Sequence, residues 1–223
     1  SPEDGDLFQG DNILYYEKRN LPKDLRIYAA SDHAVGIDKT RHDSTCLLIV
    51  GVDEQDDIYI IDCWLAKQPS DIVVTAMLEM IKKHKPLIWW AEKGHISKAI
   101  GPFLKKRMFE TKTHCRIEEV TPVANKVQRS QSIVGRMAMK KVYFPKVSNW
   151  GIRAVDELLK FPNGRHDDFV DALAWIGMGL GDLNAPGGAR RERKFPKVGT
   201  LAWVKWDSQV REKQLNLSQT GGF

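Results

Sequence analysis

Carboxylates at the ends of apolar segments are the residues of this sequence whose types and spacing could do chemistry. One follows the segment RIYAAS, a second follows LIWWA, and three more lie within GRHDDFVDAL. The first two segments have the composition of buried strands, and on a helix the first and last of the three clustered acids lie one turn apart. The candidates are Asp32, Glu92, Asp167, Asp168 and Asp171.

Carboxylates that lie close together repel one another and raise one another's pKa unless a cation holds them. Oxygen ligands without a His or Cys cluster suit Mg²⁺ or Mn²⁺ and fit zinc poorly. Two such ions about 3.5–4 Å apart can activate a water and stabilise the leaving oxygen when a phosphodiester is cleaved. Taken alone, an Asp after a strand is most often a turn residue, and acids in the first turn of a helix often cap it. Only the joint placement of these acids indicates a two-metal site.

The order of the predicted elements decides whether the acids can meet. Right-handed crossovers place the fourth and fifth strands parallel to the first, after an antiparallel opening of three strands. We therefore predict an α/β fold, a mixed central sheet with helices on both faces, and a ligand site beyond the carboxyl ends of its parallel strands. Strands are predicted at 26–31, 45–52, 58–65, 87–91, 116–120 and 142–144, and helices at 70–85, 96–108, 127–139, 152–160 and 167–178.

Composition excludes several classes of protein. The 223 residues are 42% hydrophobic and 28% charged, so the chain is neither disordered throughout nor, lacking an apolar segment of about 18 residues, a transmembrane protein. No signal peptide is predicted, and the initial Ser suggests a processed or excised chain. Three scattered cysteines argue against a disulfide framework and fit a reducing cytosol. The net charge of +5 mildly favours a polyanionic partner.

The texture of the chain changes twice. We expect residues 1–24, which are polar and interrupted by Pro and Gly, to be a lead-in or linker, and residues 25–181 to form the folded domain. Residues 182–223 contain the linker-like NAPGG and the basic run RRERK, so they are predicted to be a basic, flexible tail.

Basic residues near the acids could hold DNA. Lys126, Arg129 and Arg136 lie on or just before one predicted helix, and their side chains could contact phosphates. An ordinary solvated basic face is the alternative. His166, beside the acids, could assist proton transfer or bond a phosphate, although a capping or turn role is equally open.

The strand order, Asp32, Glu92 and the HDDFVDAL segment together resemble the RNase H-like (RuvC-like) C-terminal nuclease domain of the terminase large subunit of tailed bacteriophages. The segment KVQR, followed by GR and by VYFP, is similar to the K-x-x-R … G-R … V-x-F-P stretch that precedes the last acidic helix of that family. The resemblance covers roughly residues 25–180.

This resemblance implies a Mg²⁺- or Mn²⁺-dependent endonuclease, with two ions, that cleaves double-stranded DNA from concatemeric viral genomes during packaging. Asp32 would be the first metal ligand, Glu92 the second, and Asp167 or Asp168 together with Asp171 would supply the last. Asp43 matches a further acid that the family often has after its first strand.

The same resemblance implies partners and a location. The partners would be double-stranded DNA, the terminase ATPase domain, the small terminase subunit and the portal, in the cytoplasm of the infected host cell and without a membrane. No G-x-x-x-x-G-K-[ST] phosphate-binding loop occurs in the sequence, so we expect the nuclease half alone, without translocation activity.

Two alternative functions remain open. A junction resolvase or a transposase-type nuclease would keep the RNase H-like fold and act on a different DNA substrate. A non-catalytic module that binds DNA or the portal would have acids with a structural role only.

Overall fold

The computed structural model describes residues 7–33, 44–94, 96, 100–121 and 125–184. The chain divides into two compact units, residues 1–182 and 183–223. All described residues except the last two of the final helix belong to the first unit. The predicted tail, with its basic run, lies beyond the described residues from position 185 onward.

The described part of the chain contains one seven-stranded sheet. The strands are β1 (Leu14–Tyr16), β2 (Arg26–Asp32), β3 (Thr45–Val52), β4 (Ile58–Ala66), β5 (Trp89–Glu92), β6 (Ile117–Val120) and β7 (Val142–Pro145). Their order in the sheet is β1-β7-β4-β3-β2-β5-β6. β3 is antiparallel to its neighbours β2 and β4, and every other neighbouring pair is parallel. This confirms the predicted mixed sheet, including its antiparallel opening and the two parallel strands that follow.

Helices cover both faces of this sheet, as predicted. The helices are α1 (Ser70–His84), α2 (Gly101–Glu110), α3 (Lys126–Ala138), α4 (Gly151–Lys160) and α5 (Asp168–Asn184). Each residue of β3 is buried, because alternate side chains enter different cores. Leu48 and Val50 pack in the core beneath α3, α4 and α5, whereas Leu47 and Ile49 pack in the core beneath α1 and α2.

Helix α5 packs unusually close to its neighbours because of two glycines. A Cβ added at Gly179 would collide with the ring of Trp90, and one at Gly177 would collide with Ser132. The helix continues to Asn184, beyond the predicted end at 178, although glycine disfavours helix. Burial of its apolar residues outweighs that low propensity, and the two glycines let the second half of α5 pack closely against Ser132 and Trp90.

Two segments differ from the prediction. Residues 14–16, placed in the lead-in, form β1 and pair in parallel with β7, and the Tyr16 hydroxyl donates to the carbonyl oxygen of Ile60 at 2.9 Å. A three-residue strand is too short for periodicity to identify. The helix expected at 96–108 is described over Gly101–Glu110, with Pro102 in its first turn, where proline loses no helical hydrogen bond.

None of the helices in the described ranges is both long and apolar enough to cross a membrane.

Candidate active site

Asp32 and Glu92 end two neighbouring parallel strands. The register pairs Ser31 of β2 with Ala91 of β5, so the two acids stand at the next level of the same strand pair. Neighbouring strands lie about 4.8 Å apart, and side chains at the same level leave the sheet on the same face. The structure therefore places both acids at the carboxyl end of this pair, as the sequence predicted.

The face on which these two side chains lie follows from the alternation along each strand. Ala30 and Trp90, two residues before the acids, pack in the core that contains α5. With a period of two, Asp32 and Glu92 are directed to the same face. The two strand acids and the first turn of α5 thus share one side of the sheet.

The first turn of α5 carries the remaining acids. Asp168 and Asp171 are buried, with 5% and 3% of their surface exposed. The carbonyl oxygen of Asp167, just before the helix, accepts the Asp171 amide at 2.9 Å. Asp167 and Asp171 are therefore one turn apart, in the predicted arrangement, and Asp168 lies between them in sequence.

Asp32 and the helix acids affect one another electrostatically. The pKa of Asp32 is raised well above its ordinary value, first by burial, which removes water from the carboxyl, and then by the negative charges of Asp171, Asp168 and Asp167. The charge of Lys126 opposes this shift. Asp32 and the three acids of residues 167–171, which are far apart in the sequence, thus lie within electrostatic range of one another. We call Asp32, Glu92, Asp167, Asp168 and Asp171 the acidic edge.

Lys126, the first residue of α3, bridges two of these acids. Its Nζ lies 2.7 Å from an oxygen of Asp167 and 2.7 Å from an oxygen of Asp171. Burial lowers the pKa of Lys126, but the hydrogen bonds to the two aspartates outweigh burial and raise it above the ordinary value. The ammonium is therefore held in its charged form among the carboxylates.

Arg129 lies one helical turn further along α3 and points inward. Only 8% of its surface is exposed, its Nη2 donates to Asp171 Oδ1 at 3.0 Å, and its guanidinium lies 5.0 Å from the ring centroid of Trp175. The sequence predicted an exposed Arg129 that could contact DNA phosphates. In the structure its guanidinium instead fixes the position of the Asp171 carboxylate.

Arg136, the third basic candidate, lies far from the acids. Its Nη1 donates to the carbonyl oxygen of Asp56, in the turn after β3, at 3.2 Å. That turn is at the opposite end of the sheet from Asp32, which pairs with Cys46 at the start of β3. Ten residues of helix separate Arg136 from Lys126, or about 15 Å at 1.5 Å per residue. This corrects the expectation that Arg136 lies near the acidic edge.

Asp43 and His166 are the two accessory residues that the sequence predicted. Asp43 lies outside the described residues. His166 is partly buried and directly precedes Asp167, so its proximity to the acids follows from the sequence, and a role for its ring in proton transfer stays a prediction.

A buried carboxylate that sequence reasoning missed lies beneath the helix acids. Glu157 of α4 is 4% exposed, and its Oε2 accepts the backbone amide of Phe169 in the first turn of α5 at 3.1 Å. The available signal was its position on the apolar face of α4, between Ala154 and Leu158, which are also buried. An acid at such a position needs a partner.

The donor set fits a hard divalent cation, although the acids are not arranged as ligands here. Within the described ranges no three His, Cys, Asp or Glu side chains form a group that could hold a metal ion. The ammonium of Lys126 lies between Asp167 and Asp171 instead. Carboxylate oxygens suit Mg²⁺ or Mn²⁺. Burial first, and then the neighbouring negative charges, raise the pKa of Asp32, and a cation would offset the repulsion.

Comparisons with known proteins identify the fold. No protein-family model matches the sequence, and no curated protein matches it. Solved structures do match, with sequence identities between 12% and 17% for the three described next.

The chain is similar to the large terminase nuclease of the thermophilic phage G20c, solved with bound magnesium, at 17% identity and a TM-score of 0.53, over 79% of this chain and 98% of that one. It is similar to the human cytomegalovirus terminase nuclease domain, soaked with manganese and bound to an inhibitor, at 12% identity and a TM-score of 0.54, over 78% and 94%. The large terminase nuclease domain of Thermus phage P74-26 matches at 16% identity and a TM-score of 0.51, over 76% and 93%. The chain therefore has the RNase H-like fold of the large terminase nuclease domains.

Proposed function

We propose that this protein is a metal-dependent endonuclease that cleaves double-stranded DNA, as the nuclease part of a terminase large subunit that processes concatemeric viral genomes. The observation that carries the proposal is that Asp32 and Glu92 end neighbouring parallel strands, and that Asp32 lies within electrostatic range of Asp168 and Asp171. These acids lie at the carboxyl ends of parallel strands, where ligands bind in sheets of this kind. The magnesium bound to the G20c nuclease and the manganese soak of the cytomegalovirus domain support Mg²⁺ or Mn²⁺ as cofactor.

Each acid of the acidic edge has a proposed role. Asp32 and Glu92, on neighbouring strands, would hold the cations from the sheet side, and Asp168 or Asp167, with Asp171, from the helix side. Bound Mg²⁺ or Mn²⁺, with two ions expected, would supply an activated water and stabilise charge on the phosphoryl oxygens. Arg129 would keep the Asp171 carboxylate in place through its buried ion pair.

Of the three basic candidates, Lys126 is the one that both contacts the acids and is exposed enough to contact DNA. Its side chain is 50% exposed, whereas that of Arg129 is 8% exposed. A cation held by Asp167 and Asp171 would take the place of the ammonium, which could then pair with a phosphate of the DNA backbone. The ATPase domain, the small terminase subunit and the portal are the proposed protein partners.

Plasmid digestion in Mn²⁺ or Mg²⁺ tests the proposal. We expect the wild-type chain to nick and linearise the plasmid, and Asp32→Asn and Glu92→Gln to lose this activity. Glu79→Gln is the matched control, because Glu79 is an exposed acid of α1, which packs on the other core. Cleavage by the Asp32→Asn and Glu92→Gln variants at the wild-type rate would refute the assignment. Faster cleavage of branched DNA than of linear duplexes would favour the resolvase alternative.

One observation favours a non-catalytic module instead. Both carboxylate oxygens of Asp171 already pair with cationic side chains of the protein itself, one with Lys126 and the other with Arg129. An acid satisfied in this way can be purely structural. Calorimetric titration with Mn²⁺ separates the two functions, since a nuclease requires specific binding that Asp32→Asn weakens, and a non-catalytic module predicts none.

A further inference from the structure

A chain of polar side chains, of which Glu157 and Ser44 are buried and Arg153 is partly exposed, links α5 through α4 to the residue before β3. Its centre is Glu157, whose Oε2 accepts the amide of Phe169 at 3.1 Å and whose Oε1 accepts Nε of Arg153 at 3.1 Å. The Nη2 of Arg153 donates to Oγ of Ser44 at 3.2 Å, and Ser44 is 6% exposed. We call Ser44, Arg153 and Glu157 the α4 relay.

The α4 relay ends beside both halves of the acidic edge. At one end, Phe169 follows Asp168 directly and lies in the same helical turn as Asp171. At the other end, Ser44 is two residues before Cys46, the cross-strand partner of Asp32. Burial raises the pKa of Cys46 most, followed by the hydrogen bond and charge interaction with Cys63 and then by the charge of Glu157. This carboxylate therefore lies within electrostatic range of the cross-strand partner of Asp32.

Packing alone does not explain a carboxylate at position 157. Glu157 is buried on the same helix as Ala154 and Leu158, which belong to the core beneath α3, α4 and α5, and an apolar side chain there would avoid the desolvation cost of a charge. What a carboxylate adds is an acceptor for an amide of the first helical turn, which has no partner within the helix. A negative charge there also interacts favourably with the helix dipole.

We propose that Glu157 is a positioning residue of the acidic edge. It fixes the first turn of α5, and with it Asp168 and Asp171, relative to the strand that carries Asp32. The inference rests on the proposed function, because it concerns how the same acids are held for a divalent cation. Glu157 itself touches neither the cation nor the substrate.

The test uses the full 223-residue chain with Glu157→Ala and Glu157→Gln. The Ala variant removes the acceptor of the Phe169 amide and the partner of Arg153, whereas the Gln variant keeps an oxygen acceptor and loses the charge. Asp156→Asn is the matched control, since the neighbouring Asp156 has a side chain that is 55% exposed and pairs with Lys160. The two readouts are Mn²⁺ affinity, by calorimetry well below the melting temperature, and amide hydrogen exchange without metal.

For Glu157→Ala we expect Mn²⁺ binding to weaken about 10-fold, as is usual when a residue that orients metal ligands is lost. We expect the Phe169 and Asp171 amides to exchange at least about 10-fold faster, while the Leu48 amide in β3 stays protected. Glu157→Gln should fall between Ala and wild type, and Asp156→Asn should match wild type in both readouts. If Glu157→Ala does not fold, the Gln variant carries the same comparison.

Wild-type Mn²⁺ affinity and unchanged exchange in the first turn of α5, in either folded variant, would overturn the inference. A lower melting temperature with unchanged Mn²⁺ affinity would also overturn it, because a purely structural residue predicts that result. If the wild-type chain itself binds no Mn²⁺, the proposed function fails, and the exchange of the Phe169 and Asp171 amides still decides whether Glu157 holds the turn.

Discussion

Acids cluster at both ends of the sheet, and the two clusters differ in their surroundings. The acidic turn, residues 53–57, contains four acids in five residues and joins β3 to β4. Asp53 accepts the amides of Gln55 and Asp57 at 2.9 Å each, and Asp56 pairs with Arg26 at 2.9 Å. Asp57 pairs with Lys141 at 2.9 Å. In the acidic turn, each of these three aspartates has its own donors.

At the acidic edge two carboxylates share one cationic side chain, and Asp168 and Asp171 are buried. Lys126 divides its ammonium between Asp167 and Asp171, and the negative charges of the helix acids raise the pKa of Asp32. The number of acids therefore does not identify a reactive site, since the acidic turn has almost as many. What distinguishes the acidic edge is that burial and then the charges of the neighbouring acids raise the pKa of Asp32 well above its ordinary value.

The largest expected contrast is in catalysis. Neutralising one acid at each end, with Asp171→Asn and Asp56→Asn, should reduce Mn²⁺-dependent plasmid cleavage by about 100-fold or more in the first case and leave it within about twofold in the second. Asp171 lies in the first turn of α5 at the acidic edge, whereas the Asp56 side chain pairs with Arg26 on the surface. Initial rates at saturating Mn²⁺ measure the effect, and equal losses at the two ends would remove the distinction.

The next contrast concerns the stability that arginine contributes. Arg129→Met leaves the buried Asp171 with one cationic partner fewer and removes the contact with Trp175, so we expect a loss of about 3 kcal/mol in the free energy of unfolding. Arg26→Met breaks a pair whose side chains are 47% and 46% exposed, which should cost about 0.5 kcal/mol. Urea unfolding at neutral pH without metal measures both values, and similar losses would contradict the proposed difference in burial.

The close approach of α5 can be tested with two glycines. Gly179→Ala places a methyl group against the ring of Trp90 and should destabilise the protein by about 1–3 kcal/mol. Gly181→Ala, where nothing lies within 4 Å of the added carbon, should stabilise the helix by up to about 1 kcal/mol. Thermal melts give the sign of each change. A stabilising Gly179→Ala would mean that α5 does not need this contact to place its acids.

The smallest expected effect concerns Asp62 of β4, whose carboxylate pairs with Lys83 and His84 of α1. Hydrogen bonds from His84 and from Lys83, against the opposing effect of burial, lower the pKa of Asp62 from 3.8 to about 2. Because the folded value lies below the unfolded one, Asp62 contributes stability above pH 3.8 and loses it as the pH falls towards 2. We expect Asp62→Asn to cost about 1 kcal/mol at pH 7 and nothing near pH 2. Urea unfolding between these pH values tests the sign, which is opposite to that expected for an acid with a raised pKa.

Much of the fold could be predicted because its signals are local. The apolar segments that became β3 and β5 have the composition of buried strands, and the turn at 53–57 indicated the antiparallel opening. The predictions failed where a local signal was weak or was overruled by packing. β1 has three residues, and α5 continues through glycines that its contacts with Trp90 and Ser132 require.

The sequence by itself determined which residues could form a site, since acids that end two parallel strands and begin a helix must emerge at one edge once the strand order is known. Only the tertiary structure decided which other groups surround them. In that structure Lys126 lies among the acids and Arg129 points inward. Arg136 lies at the opposite end of the sheet, and Glu157 is buried beneath α5. These outcomes depend on distances between elements far apart in the chain, and side-chain packing sets those distances rather than local propensity.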